Sequence, residues 1–300
     1  DLAANQIYYN AVTDRLSGKF QSLQNVIRDD ESGSIREAVE WVFNNEENLR
    51  LFIEAGNVDN SKLCLEALGT LYSKHKNDLS VLTYKKMLIA LAISYSTDNV
   101  GTPLNFNNWL KYDVNERYEI MKELYDNGSF VRKDEFDTYH MELIRMVVND
   151  STPNDEIKWL RGYSESRYPN NLDSRLNPYS YMNYLQPNYH QDRLYSDANA
   201  TTYKNKYQLD NYNIPYGLNA DGSKTARTWM VMEAGGICWN ISRLGSNLHR
   251  VHGLPSMGVY QPDHESYLTY SVNQDGNGVW GIGNNIFGWG KSSTTWYGGN

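Results

Sequence analysis

The sequence predicts an α+β chain. An all-α helical domain comes first, then a tyrosine- and asparagine-rich stretch of irregular texture, then a helix that leads into antiparallel strands. Three observations predict it. Apolar residues recur at helical spacing as far as about residue 163, and turn-forming residues replace that periodicity over 164–224. From 225 to 300 a helix stepping by four and three is followed by alternating runs around a glycine-rich turn.

Taken in order, Ile35, Val39, Val42 and Phe43 mark one helix over Ser34–Phe43. Leu63, Ala67, Leu68 and Leu71 mark the next. Val81, Tyr84, Leu88, Leu91 and Tyr95 continue the pattern, and the apolar run around Met87–Tyr95 reads as a buried helix. Asp113-Val-Asn-Glu116 has the capping-box pattern, an acceptor for orphan N–H groups with a carboxylate three residues on. It opens a helix carrying Tyr118, Met121 and Leu124. A single helix is expected from Asp134, with Phe136, Tyr139, Leu143 and Val147 on one face, and Thr152-Pro153 reads as a further helix start.

The texture changes after Gly162. Asn177-Pro178, Gln186-Pro187, Ile214-Pro215 and Asp221-Gly222 punctuate a segment too aromatic for a disordered linker, so an ordered wrapping segment is expected. Beyond it, Ile237, Ile241, Leu244, Leu248 and Val251 predict a helix from near Cys238 to near His252, stopped by Gly253. Strands are expected at Met257–Tyr260, His264–Val272 and Val279–Ile286. Asp275-Gly276-Asn277-Gly278 forms the hairpin turn between the last two.

Charge and composition exclude several functions. Lys and Arg number 28 against 36 Asp and Glu, a net charge of −8, which lacks the basic footprint that nucleic acid or an anionic membrane surface demands. No run of eighteen apolar residues exists to span a bilayer. Cys64 and Cys238 are the two cysteines, too few for a disulfide framework. The chain holds 24 Tyr and 8 Trp, rings with polar handles that suit contact with sugars or peptides. It begins at Asp1, not Met, and is expected to be an excised segment of a larger multidomain protein, with any targeting signal cut away. With the Tyr/Asn richness this points to a secreted or cell-surface location.

The chemistry concentrates at Gly235-Gly236-Ile237-Cys238-Trp239-Asn240-Ile241-Ser242. Paired glycines permit a sharp turn and close backbone approach, and the cysteine after them falls in the first turn of a helix. There the positive end of the helix dipole favours thiolate over thiol. A cysteine nucleophile needs a base and a group that orients the base. His264, 26 residues on, heads an expected strand, and Asn284 sits on the strand that returns past it. Its carboxamide could accept from one ring N–H and leave the other nitrogen facing sulfur. Cys64, among Leu63, Leu65 and Leu68, reads as inert core.

This stretch resembles the transglutaminase-like superfamily. Gly236-Ile237-Cys238-Trp239-Asn240-Ile241-Ser242 is similar to its nucleophile motif G-Q-C-W-V-F-A, and Gly253-Leu254-Pro255 to its G-I-P. Asp263-His264-Glu265 is similar to its G-H-A strand, and Trp280-Gly-Ile-Gly-Asn284 to its W-x-x-x-D. The resemblance covers residues 235–289 and is silent on 1–224. It implies a papain-like domain with a nucleophile helix packed on an antiparallel sheet, and catalytic roles for Cys238, His264 and Asn284. Three departures stand out: Asn284 replaces an aspartate, Ile237 a glutamine, and Glu265 a small residue after the histidine. Trp229, Gly236, Trp239 and Glu265 are the candidates for oxyanion or substrate contacts.

The expectation is a cysteine-dependent acyl-transfer enzyme that forms a thioester from an amide, with hydrolysis favoured over transamidation and no cofactor. Its substrate would be a peptide, a protein or a peptidoglycan-type amide, glycan-bearing ones included. The alternatives are a non-catalytic glycan- or peptide-binding module on the same fold and a domain whose cysteine cross-links once. His249 and His252, three apart on the nucleophile helix, and His190 lack zinc-ligand spacing. Asn219-Ala-Asp221-Gly-Ser223 lacks the terminal glutamate of a calcium loop. Asn199-Ala-Thr201 and Asn240-Ile-Ser242 fit the glycosylation sequon, the second inside an expected helix.

Overall fold

A computed structural model describes residues 26–27, 29–58, 60–96, 113–148, 152, 154–181, 228, 232, 238–261, 264–273 and 275–282. The described residues are mostly helical, with one three-stranded antiparallel sheet, an α+β composition. The chain divides into two compact units. One comprises Asp1–Ser129 with Lys133–Asn154, the other Phe130–Arg132 with Asp155–Asn300. No helix among the described residues is long and apolar enough to cross a membrane.

The first unit is a helical bundle. Helix α1 (Ser34–Phe43) starts where the Asp30 carboxylate accepts the Ile35 N–H at 2.7 Å, and it buries Ile35, Ala38 and Val42. Helices α2 (Glu46–Glu54) and α3 (Ser61–His75) are capped by Asn45 and Asn60, whose side chains accept from the N–H groups of Asn48 and Leu63. Helix α4 (Leu82–Tyr95) buries every residue from Met87 to Ser94, as its all-round apolar run predicts. Helix α5 (Val114–Asp126) opens at Asp113, whose Oδ1 accepts from the Asn115 and Glu116 N–H groups. Glu116 does not complete the box; its carboxylate accepts from Asn154 Nδ2 at 2.7 Å.

The single helix expected from Asp134 is two, α6 (Lys133–Thr138) and α7 (Met141–Val148). The break is stabilised from outside the segment. Lys86 on α4 donates to the carbonyls of Asp137 and Tyr139, and the Asp137 carboxylate accepts from the hydroxyls of Thr83 and Tyr125. Those bonds occupy groups that a continuous helix would use itself, while Phe136, Tyr139, Ile144 and Val147 still reach the core.

In the second unit, helix α8 (Asn154–Arg167) runs past the expected change of texture at Gly162. It is followed by α9 (Leu172–Leu176), capped by Asn171, and by a short 3-10 turn at Pro178–Ser180. Of 164–224 the description covers 164–181, and the remainder lies outside the described residues. Helix α10 (Cys238–Arg250) buries Ile241, Leu244 and Leu248 together with Ser242, Ser246, Asn247 and His249. It closes as its sequence predicts. Leu254 N–H donates to the His249 carbonyl and Gly253 N–H to that of Arg250, the paired bonds of a Schellman closure. Gly253 sits at φ 79°, and an added Cβ would lie 2.4 Å from the Phe130 ring, so both conformation and space require glycine.

The sheet has the order β1-β2-β3, with β1 (Ser256–Gln261), β2 (His264–Val272) and β3 (Gly278–Ile282). Ser256 pairs with Thr269 and Gln261 with His264; Leu268 pairs with Ile282 and Val272 with Gly278. The hairpin turn forms where expected. Asn273 Oδ1 accepts from the N–H groups of Asp275 and Asn277, and Gly276 takes φ 80°. The expected extension of the third strand to Ile286 lies outside the described residues beyond Ile282.

Candidate functional site

The candidate site is built from the start of α10 and the start of β2. Cys238 is the first residue of α10 and His264 the first of β2. Two sets of contacts fix how these elements run. The Tyr267 ring rests on Gly245, where an added Cβ would stand 2.5 Å from it, and lies tilted near the His249 ring, 5.7 Å between centroids. Further along both elements, Arg250 Nε donates to the Ser256 carbonyl at 2.8 Å, and Ser256 pairs with Thr269 of β2. Positions 245 and 250 thus meet 267 and, through Ser256, 269 in the same order. The helix and the strand run the same way, and their first residues share one end of the sheet.

Alternation along β2 then sorts its positions. Tyr267 packs on α10, so Glu265 and Thr269 share the helix-side face, and positions 264, 266 and 268 form the other set. Gly258 belongs to the helix-side set, because a Cβ built there would lie 2.8 Å from the Glu265 Oε1. The glycine leaves the space into which the carboxyl folds, over the backbone of β1.

Glu265 is the least conventional group on this face. It is 8% exposed, and its Oε2 has no hydrogen-bond partner among the described residues. Burial pushes the carboxyl up to about 8, against a smaller opposing pull from the Arg243 guanidinium. Burial thus favours its protonated form. By contrast, burial pushes His249 down to about 4 and His252 down to about 3. Each Nδ1 lies on a carbonyl four residues earlier, at 2.8 Å for Gly245 and 2.7 Å for Leu248. A carbonyl only accepts, so both rings carry their proton on Nδ1 and stay neutral. His252 Nε2 faces the Ser164 hydroxyl at 3.3 Å, with both residues fully buried. These two histidines are packed within the second unit by their backbone contacts and burial.

The helix start itself suits an anion. Its first turn contains no acidic residue, and thirteen helical residues stand behind it. Trp239 lies in the same first turn. Asn284, Trp229 and Gly236 lie outside the described residues. Cys64, the other cysteine, is buried on α3, and desolvation pushes its thiol up to about 12. Among the described residues no group of three or more His, Cys, Asp and Glu side chains is placed to hold a metal ion.

Two features escape the sequence. Glu156, fully buried in the first turn of α8, accepts from both the N–H and the hydroxyl of Thr228, at 3.0 and 2.9 Å. This pins the chain ten residues before Cys238. The second is the burial of Glu265, whose one advance signal is a glycine inside the neighbouring strand. No protein-family model, no curated protein and no solved structure matches this chain.

Proposed function

We propose that the second unit is a transglutaminase-like domain and that the chain is a cysteine-dependent acyl-transfer enzyme acting on amide bonds. In this reading the Cys238 thiolate attacks the amide carbonyl carbon. The C–N bond breaks as His264 gives its proton to the departing amine. Water, deprotonated by His264, then cleaves the thioester to a carboxylic acid and restores the thiol. Asn284 orients His264. Hydrolysis is favoured over transfer to an amine, and the substrate class is a peptide, protein or peptidoglycan-type amide.

One observation carries the reading. α10 and β2 run in the same direction, so a cysteine that opens the helix and a histidine that opens the strand belong to the same end of the sheet. The helix start, free of acidic side chains, supports a thiolate there. The reading makes two further demands. The strand's alternation, which assigns position 264 to the set opposite 265 and 267, must break at this first residue of β2, and the β2–β3 ladder must run on beyond Ile282 to bring in Asn284.

Cys64 supplies an internal control. At pH 7 a thiol pushed up to about 12 is almost wholly protonated, and iodoacetamide reacts with thiolate. Peptide mapping after brief alkylation of the folded chain is expected to show Cys238 modified at least about 100-fold faster than Cys64. Screening labelled peptides and peptidoglycan fragments should then reveal hydrolysis that Cys238→Ala abolishes. Equal, slow labelling of both cysteines would overturn the proposal.

A further inference from the structure

We infer that Asn277 is a modification site, at which the folded chain converts its own carboxamide to a carboxylate through a succinimide formed with Gly278. The chain has two Asn-Gly pairs, Asn127-Gly128 and Asn277-Gly278, and both asparagines are exposed. By residue type the two are equivalent, since glycine places no Cβ in the path of its own nitrogen toward the preceding side chain. The fold separates them.

At Asn127 both reacting groups are engaged. Its Oδ1 accepts from the Ser129 N–H at 3.0 Å and from the Ser129 hydroxyl at 2.5 Å, which holds the side chain against the turn after α5. The nitrogen that would attack it, Gly128 N, donates to the Tyr125 carbonyl at 3.3 Å.

At Asn277 the same two groups stand open. The side chain makes no hydrogen bond among the described residues; the bonds of this residue belong to its main chain. Its N–H donates to Asn273 Oδ1 and its carbonyl accepts from the Asn273 N–H, each at 2.8 Å. The second bond makes Asn273 and Asn277 a hydrogen-bonded pair. By the alternation of an antiparallel ladder, the next pair, Val272 and Gly278, is then a non-bonded one. The Gly278 N–H therefore points away from β2, and β3 is an edge strand of the described sheet. The glycine is also held in place by its surroundings, because a Cβ built there would fall on the Tyr270 hydroxyl.

The chemistry needs water alone. Hydroxide takes the Gly278 amide proton, the nitrogen bonds to Asn277 Cγ, and the Cγ–Nδ2 bond breaks. Nδ2 leaves as ammonia with a proton taken from water. A second water opens the five-membered ring. Breaking the new N–Cγ bond leaves an aspartyl residue at position 277. Breaking the original peptide C–N bond leaves an isoaspartyl residue, with the main chain running through Cβ and Cγ. Either product adds a negative charge next to Asp275 in the turn. The isoaspartyl form also lengthens the main chain by one atom, between the Asn273–Asn277 bonds and the Tyr270–Trp280 ring pair.

The test follows both asparagines in the same molecule. The full chain is incubated at mildly alkaline pH, folded or in guanidinium chloride. Peptides bearing Asn127 and Asn277 are then quantified over time by mass spectrometry, with aspartyl and isoaspartyl forms separated. In the folded chain Asn277 is expected to be lost at least about tenfold faster than Asn127. In denaturant the two rates should agree within about threefold. Equal rates in the folded chain, or faster loss at Asn127, overturn the inference. So does a tenfold gap that persists in denaturant, which would assign the difference to flanking residues and not to the fold. Retention of Asn277 in the folded chain while the denatured sample converts overturns it as well.

Discussion

Replacing Glu265 with glutamine exchanges a buried acid for a neutral group of the same shape, and its effect on stability depends on pH in a direction that can be worked out. Burial lifts the carboxyl from an ordinary 4.5 to about 8. An acid whose folded value lies above its unfolded one keeps its proton longer in the native state. Between pH 4.5 and 8 the folded chain therefore binds more protons than the unfolded chain, and stability falls as pH rises across that window, then levels off. At about 1.4 kcal/mol per pH unit, the whole window is worth up to about 5 kcal/mol, and the part traversed by pH 7 about 3. Water reaching the 8% exposed edge of the side chain trims these figures. Urea unfolding of wild type and Glu265→Gln at pH 5, 7 and 9 reads the difference directly. The variant's advantage should grow by about 2–4 kcal/mol from pH 5 to 9 with the slope of the transition unchanged. A difference that stays constant with pH would refute the assignment of a buried, protonated carboxyl.

Other consequences concern the same helix. Gly245→Ala should destabilise by about 1–3 kcal/mol, because the new methyl meets the Tyr267 ring 2.5 Å away; thermal unfolding that instead showed the gain of about 1 kcal/mol from helix propensity would contradict the packing. Gly253→Ala combines a left-handed φ of 79° with a collision against Phe130 and should cost about 2–4 kcal/mol, read as a lowered urea midpoint. His249 and His252 sit far below their ordinary 6.5, so the unfolded chain takes up protons there first. Stability is complete above pH 6.5 and falls as pH drops toward 4, by several kcal/mol, and His252→Gln should flatten that decline in an acid titration of the midpoint.

How much of this was legible in the sequence depends on where each determinant lies. Helix α10 was readable because Ile241, Leu244, Leu248 and Val251 carry its period and Gly253 its stop, all within fifteen residues. The start of α5 at Asp113 and the turn at Asp275-Gly276 were readable for the same reason, since the capping and turn groups are local. The break between α6 and α7 was not, because its bonds come from Lys86, Thr83 and Tyr125 on other helices. The continuation of α8 to Arg167 was masked by the polar run Ser164-Glu165-Ser166, where Ser164 is buried against His252 and Arg161 pairs with Glu165 one turn later at 2.9 Å. At the site, Cys238, His264 and Glu265 are all singled out by residue type and spacing. The burial of Glu265 was not legible, because it arises from a neighbouring strand's glycine, which is not visible from the strand's own alternation.

The reaction scheme depends most on whether imidazole and sulfur meet at the shared end of α10 and β2. The thiol titration of Cys238, followed by iodoacetamide rate against pH in wild type and in His264→Ala, decides it. An ion pair predicts a Cys238 value at least about one pH unit below the ordinary 8.5, rising by about one unit or more when the imidazole is removed. A profile identical in the two proteins would mean that the ring never reaches the sulfur.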